Sequence, residues 1–389
     1  MPTPAPHTPH DILATLVAFD TTSARSNLPL VDWVEAFCRG HGAAVERVVD
    51  ATGQKAALWI SVGPSDVPGY VLSGHSDVVP VGGQDWSHDP FRLAEVDGKL
   101  YGRGTSDMKG FLAVCLAALP EMAAAPLVRP LHLAISYDEE VGCLGVRPLI
   151  ARMRAMGVAP LGCFVGEPTG MEVVTGHKGK HAARVTFRGK GCHSALAPTG
   201  VNAVEYAARF IDHVRCLADE LAASGARDPL YDVPHTTGLS SIVHGGTALN
   251  IVPDRAHVEF EFRAIAADDA GALAARAITF ATGTLAAEMA GKDATCGVDV
   301  AQLVAYPGLD TEPDSDLVTL AKRLAGRNSH AKVSFGTEGG LFRVLGGVPS
   351  VVIGPGSIAR AHRADEYVET AELAACAAFV RRLIADSAA

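Results

Sequence analysis

The sequence predicts an α/β protein: a mostly parallel sheet flanked by helices, with a second, smaller α/β unit inserted into it. Three observations lead there. At 389 residues the chain exceeds what one hydrophobic core usually serves. Its first half alternates continuously apolar, strand-like runs with helical periodicities, the pattern of a parallel sheet covered on both faces. From about Lys178 the order changes to strand, helix, two strands, helix, strand. That βαββαβ order is the signature of a ferredoxin-like domain. The division expected is 1–177 with 306–389 for the first domain and 178–305 for the inserted one.

The elements follow in chain order. A helix is predicted from Asp11 to Phe19, and LPLVDWVEAFCRGHG places Leu30, Val34, Phe37 and Cys38 on one helical face before glycines end it. Strands are predicted at Ala56 to Val62, Tyr70 to Ser73, His132 to Ser136 and Cys163 to Val165, with helices at Met108 to Met122 and Leu144 to Met156. The inserted unit reads as strand Ala182 to Phe187, helix Ala203 to Leu217, strands Leu239 to Val243 and Ala256 to Arg263, helix Asp269 to Leu285 and strand Val298 to Val304. A helix near Leu317 to Ala325, a strand at Pro349 to Ile353 and a helix near Ala371 to Ile384 return to the first domain.

Composition narrows the function. A hydrophobic fraction of 48% with 20% charged residues describes a compact globular chain, and no apolar run approaches the ~20 residues that cross a bilayer. A net charge of -10 without a clustered Lys/Arg run argues against nucleic-acid or membrane partners, which need a basic face. Small-molecule chemistry is the better expectation. Eight cysteines without CxxC spacing fit reduced structural thiols, so a metal must be held by His and carboxylates. The proline-rich first ten residues are expected to be loose, and they lack a basic and then apolar leader, so a cytoplasmic location is expected.

In open α/β sheets ligands gather at the carboxyl ends of the strands. Reading only those ends collects His75 and Asp77 (SGHSD), Asp107 (GRGTSD), Glu139 and Glu140 (DEE) and Glu167 (GEPTG), and His362 joins from GPGSIARAH. Any one of them is most simply a solvated or capping residue. With five such residues on one rim, two His and three of these carboxylates suit a dinuclear site for a hydrolytic metal such as zinc. Asp77, two residues after His75, shares its face and is placed to orient the imidazole, with a turn cap as the alternative. GPGSIAR lacks the glycines of GxSxG, and GRGTSD lacks the third glycine of GxGxxG, so serine-hydrolase and dinucleotide readings have little support.

The ordered segments SGHSDVVPVGGQDWSHDPF, GKLYGRGTSDMKG, SYDEEVG, GEPT, HKGK, GGTALNIVPD and GPGSIARAH resemble the metallopeptidase family of acetylornithine deacetylase, succinyl-diaminopimelate desuccinylase, aminoacylases and zinc carboxypeptidases. GPGSIARAHRADEYVE and TEGG at 337–340 are most similar to the acetylornithine deacetylase branch. The resemblance implies a zinc-peptidase-like catalytic domain with an inserted lid and dimerisation domain, and two Zn2+ ions for which Co2+ can substitute. It makes His75 and Glu167 ligands of one ion, Glu140 and His362 ligands of the other, Asp107 their bridge and Glu139 the general base. Asp138 is then left as an ordinary loop residue. It also implies a cis peptide between Asp107 and Met108.

From the inserted domain the resemblance brings His193, supplied across a homodimer to bind substrate or oxyanion, and Asn250 and Arg263 for the substrate carboxylate. Lys178 at the hinge is a weaker candidate. Glu338 is expected at the substrate pocket, where it would attract an ammonium group; capping of the next helix is the alternative. The implied reaction converts an N-acyl amino acid, foremost N2-acetyl-L-ornithine, to the free amino acid and acetate. An aminoacylase or carboxypeptidase acting on another N-acyl amino acid, and a catalytically silent metal-binding paralogue, are the competing readings.

Overall fold

A computed structural model describes residues 8–389. Most of the stretch expected to be loose, residues 1–7, lies outside the described residues. Thr8 to His10 are ordered: Thr8 and Asp11 form a reciprocal capping box and Pro9 opens the helix Pro9–Ala18. The chain divides into two compact units, after Gly176 and after Gly308, and Val333–Gly336 joins the second unit.

In the first unit the strands Ala44–Val49, Ala56–Val62, Leu131–Ser136, Tyr70–His75, Gly162–Val165, Ser350–Val352, Val174–His177 and Leu309–Asp310 lie side by side in that order. The four central strands, from Leu131–Ser136 to Ser350–Val352, are mutually parallel, and the neighbours on either side of them run antiparallel. Leu131–Ser136, Gly162–Val165 and Ser350–Val352 are buried along their whole length and Tyr70–His75 is buried after its first residue, which is why they read as mostly apolar runs. Helices Leu28–Gly40, Lys109–Ala117, Val146–Ala155, Asp316–Ala325 and Gly339–Gly346 pack against the strands. On Leu28–Gly40 the buried residues are Leu30, Val31, Val34 and Cys38, so Val31 takes the place expected for Phe37, which is only partly buried. The single helix predicted from Met108 to Met122 is two, Lys109–Ala117 and Leu119–Ala124, because Pro120 fits only a helix's first turn.

The second unit contains a four-stranded antiparallel sheet in the order Thr237–Gly245, Arg255–Ala264, Gly179–Arg188, Gly297–Tyr306. Ala183, Val185, Phe187, Val258, Phe260 and Phe262 alternate onto the buried face, under the helix Ala203–Ser224 and the helical run Ala270–Lys292. That run is long and apolar enough to cross a membrane, but it serves here as a core helix, burying Leu273, Ala274, Ala277, Ala281, Leu285 and Met289. It continues past the predicted end at Leu285 through a π-helical turn at Phe280–Leu285.

One buried histidine links this packing to pH. His132 lies within Leu131–Ser136, its Nδ1 2.8 Å from Ser61 Oγ and its ring 5.1 Å from that of Trp59. Burial pushes its pKa down to about 4. Because the folded value lies below the unfolded one of ~6.5, this contribution is intact above pH ~6.5 and is lost progressively as pH falls towards 4, by up to ~3 kcal/mol. Urea unfolding of chelator-treated protein at pH 7 and pH 4.5 should show His132→Gln less acid-sensitive than wild type; equal slopes would refute the assignment.

Candidate metal centre

Because the four central strands are parallel, their carboxyl ends share one rim. Tyr70–His75 ends in His75, Leu131–Ser136 leads into the DEE turn, Gly162–Val165 leads to Glu167, and Ser350–Val352 leads to the loop bearing His362. Two of these loops meet at glycines: a Cβ on Gly354 would lie 2.1 Å from the Gly166 carbonyl oxygen, and one on Gly166 would lie 2.0 Å from the Phe111 ring. Only hydrogen fits at either position.

Asp107 arrives differently from the expectation. It follows no strand of the large sheet; it stands just before the helix Lys109–Ala117, after the short strand Lys99–Tyr101 of a separate three-stranded sheet with Ala94–Val96 and Tyr367–Glu369. Its peptide to Met108 is cis. From there the carboxylate reaches the rim and bridges it, with Oδ1 3.1 Å from His75 Nε2 and Oδ2 3.2 Å from His362 Nε2. Glu167 Oε1 is 3.8 Å from His75 Nε2, and Glu140 Oε2 is 3.0 Å from His362 Nε2. Thus His75, Asp107, Glu140, Glu167 and His362 converge. Potential ligand atoms of His75, Asp107 and Glu140, and of His75, Glu139 and Glu167, each lie within 4.8 Å of one another.

The electrostatics ask for a cation. Burial pushes the pKa of Glu139 up to about 8 and that of Glu140 up to about 7, and nearby carboxylates add to both shifts. Burial and the Asp107 charge raise Glu167 well above the usual range. Burial disfavours a charged His75, but bonds to Asp107 and Asp77 outweigh it and hold the imidazole well above its ordinary value. His362, beside Asp107 and Glu140, is raised to about 10. Glu140 Oε1 is buried without a hydrogen-bond partner. A donor set of four carboxylates and two imidazoles, with His75, Asp107 and Glu167 buried, His362 half exposed and one Glu140 oxygen left over, fits divalent cations that accept nitrogen and oxygen together.

Around this cluster the structure sorts the remaining candidates. His75 Nδ1 lies 2.9 Å from the Asp77 carbonyl oxygen and 3.4 Å from its carboxylate, so Asp77 does face the imidazole. It also braces the DEE turn, accepting the Glu139 N–H at 3.1 Å. Asp138 is not an ordinary solvated residue: with φ +55° it turns inward and is held by the Lys55 ammonium. Glu338 is at the N-cap of Gly339–Gly346 but makes no capping bond. It is 1% exposed, and its oxygens accept the Ser73 and Ser136 hydroxyls, so it is packed below the rim and is not open to solvent as a pocket group would be. Burial raises it to about 7.

The second unit's residues are described within that unit. His193 Nδ1 accepts the Ala195 N–H at 3.1 Å, and Asn250 is exposed. Arg263 is engaged by Glu261 Oε1 at 2.9 Å and the Tyr306 hydroxyl at 2.9 Å, while Lys178 Nζ donates to the His235 carbonyl at 2.7 Å. Residue-type reasoning missed Cys143, whose thiol lies 3.2 Å from Glu139 Oε1, and it missed Gln84, Arg103 and Glu366. The sequence signal for Glu366 is faint: an acid four residues after His362, at the start of an otherwise plain EYVE run.

A central parallel sheet whose rim gathers two His and four acids defines a metallohydrolase fold and site, and sequence comparison specifies it. The pattern of Peptidase family M20/M25/M40 matches residues 71–386, and the chain belongs to this family. It is 33% identical over 381 residues to an acetylornithine deacetylase of Myxococcus xanthus, covering 96% of both chains. It is 30% identical over 359 residues to one of Pectobacterium atrosepticum, covering 91% of this chain and 89% of that one. Among solved structures it is similar to the M20 family metallo-carboxypeptidase Sso-CP2 of Sulfolobus solfataricus, with TM-score 0.77, 17% identity and coverage of 98% and 99%. It is also similar to the aminopeptidase PepT of Bacillus cereus, with TM-score 0.74, 22% identity and coverage of 99% of each chain. At those identities the structural likeness speaks for the fold.

Proposed function

We propose that the chain is a two-metal amidohydrolase that removes the acetyl group from an N-acetyl amino acid, with N2-acetyl-L-ornithine its foremost substrate. The observation that carries this reading is Asp107, one carboxylate with an oxygen on each of two histidines that have further carboxylates beside them. His75 and Glu167 would hold one Zn2+, Glu140 and His362 the other, and Asp107 both; Co2+ has the same ligand preferences. Such ions, when bound, supply an ionisable water and polarise an amide carbonyl.

The rest is the work of side chains. Glu139 takes the proton of the attacking water and returns it to the departing amine nitrogen, so that acetate and a free amino acid leave. Burial pushes its pKa up to about 8 against the nearby His75 charge, with Glu140 and Asp107 adding to the rise; ions held by those two carboxylates would remove their repulsion. The Cys143 thiol at Oε1 leaves the other oxygen for this exchange. In His193 the Ala195 N–H occupies Nδ1, which fixes the proton on Nε2 as a donor for the substrate oxygen. Arg263 and Asn250 offer planar, directional donors for the substrate carboxylate.

The two relatives at 33% and 30% identity support the choice of acetylornithine. The second unit exposes Leu239, Ile242, Val243, Leu249 and Ile251, which supports a homodimer formed through it. Zinc- and cobalt-reconstituted protein should be assayed on N-acetylornithine, N-acetylmethionine, N-succinyl-diaminopimelate and a dipeptide. A kcat/KM at least about tenfold in favour of N-acetylornithine is expected, since ~1.4 kcal/mol of differential binding suffices. A preference for the dipeptide would make it a peptidase, and no turnover of any substrate a silent paralogue. His193→Ala should lower kcat by about 10²-fold, the usual worth of one oxyanion donor, with metal content unchanged. Full activity in that variant would remove His193 from the reaction.

A further inference from the structure

The loops that bring Asp107 and His362 to the rim are tied to each other by a buried ion pair. Arg103 and Glu366 are each 1% exposed, with Arg103 Nη1 2.7 Å from Glu366 Oε2. The same oxygen accepts the Gly104 N–H at 3.1 Å, and Oε1 accepts the N–H groups of Ser106 at 2.9 Å and of Asp107 itself at 3.0 Å. The Glu366 carbonyl takes the Gly102 N–H at 3.0 Å. On the far side, Arg103 Nη2 donates to Gln84 Oε1 at 2.6 Å, and Gln84 Nε2 donates to the His362 carbonyl at 3.1 Å. The bonds close a ring. It runs from the Asp107 N–H to Glu366, four residues back along the chain to His362, through Gln84 to Arg103, and back to Glu366.

Glu366 takes no part in the cation cluster, because its carboxylate already accepts four donors, the number its lone pairs accommodate. His362 stands at φ +61°, a conformation that a residue with a Cβ adopts only when its surroundings hold it there. The Gln84 bond to its carbonyl and the anchor at Glu366 are such constraints. A carboxylate is also the only side chain of this length that can meet three N–H groups and a guanidinium together. An amide would turn an NH2 towards one of those donors and leave Arg103 buried without its counter-charge.

We propose that Glu366 is a positioning residue that ties the Asp107 loop to the His362 loop, so that the cation position beside Glu140 and His362 forms only while this tie is intact. The inference rests on the two-metal reading above. Gln84 acts in the same ring through a single bond to His362, and its loss should produce the same change in weaker form.

The test is cobalt binding to the apoprotein, followed by equilibrium dialysis and visible absorption. Wild type should take up two Co2+ per chain. Glu366→Gln should weaken the second ion by about 10- to 100-fold, the usual cost of losing a group that orients a metal ligand, and should lose the matching part of the spectrum. The first ion shares Asp107 but has its other ligands, His75 and Glu167, outside the ring, so it should lose less affinity than the second. Gln84→Met keeps the buried ion pair and so stays folded; it should weaken the second ion in the same direction by a smaller factor. Two Co2+ bound with wild-type affinity and spectrum in Gln84→Met, and in Glu366→Gln where it folds, would overturn the inference. If wild type binds one Co2+ only, the two-metal reading fails by itself, and release of that ion to a chelator decides the role of Glu366: an unchanged rate in both variants overturns it, a faster rate supports it.

Discussion

Glu139→Gln should retain its metal and lose about two to four orders of magnitude in kcat, the usual worth of a positioned general base. The expectation rests on geometry. Glu139 is among the groups whose ligand atoms gather within 4.8 Å of His75, yet its own carboxylate is hydrogen-bonded by the Cys143 thiol at 3.2 Å rather than by an imidazole. Gln is isosteric and can still accept from that thiol, so folding and metal uptake should survive while the proton acceptor is gone. Steady-state kinetics with metal analysis on the same preparation checks this. Unchanged turnover, or an equal loss of metal and activity, would show that Glu139 is not the base.

Asp77→Asn is expected to lower metal affinity and activity together, each by about 10- to 100-fold. Asp77 Oδ2 accepts the Ser23 hydroxyl at 2.7 Å and the Glu140 N–H at 3.4 Å, while Oδ1 accepts the Glu139 N–H and lies 3.4 Å from His75 Nδ1. Burial alone would raise its pKa, but the bond to His75 and the imidazole's charge outweigh it and hold the carboxyl below its usual range. The Asp77 carbonyl at 2.9 Å and carboxylate at 3.4 Å together face His75 Nδ1, and the same carboxylate braces the DEE turn, so an amide must turn its NH2 towards donors on one side or the other. Equilibrium dialysis against zinc or cobalt reads the outcome. Native affinity in the variant would reduce Asp77 to the turn cap that its sequence context also allowed.

Much of the fold was legible because burial on both faces leaves a direct imprint on sequence. Ala56–Val62 and Leu131–Ser136 are mostly apolar, and in the inserted unit Gly179–Arg188 and Arg255–Ala264 alternate buried with more exposed positions. Short pieces were not legible. The three-residue strands Ala94–Val96, Lys99–Tyr101 and Tyr367–Glu369 are half exposed and too brief to show a period, so the route by which Asp107 reaches the rim could not be read.

The sequence by itself determined which residues could meet, because parallel strands must deliver their carboxyl ends to one rim and His75, Glu139, Glu140, Glu167 and His362 all follow such strands. What each acid does there was decided only by the tertiary structure. Asp138 is claimed by Lys55, Glu338 by two serine hydroxyls below the rim, and Glu366 by Arg103 and three backbone N–H groups, leaving Asp107, Glu139, Glu140 and Glu167 in the open cluster. A carboxylate's role depends on which donor reaches it first, and the donors come from residues up to 265 positions away along the chain. No local pattern can carry that distance.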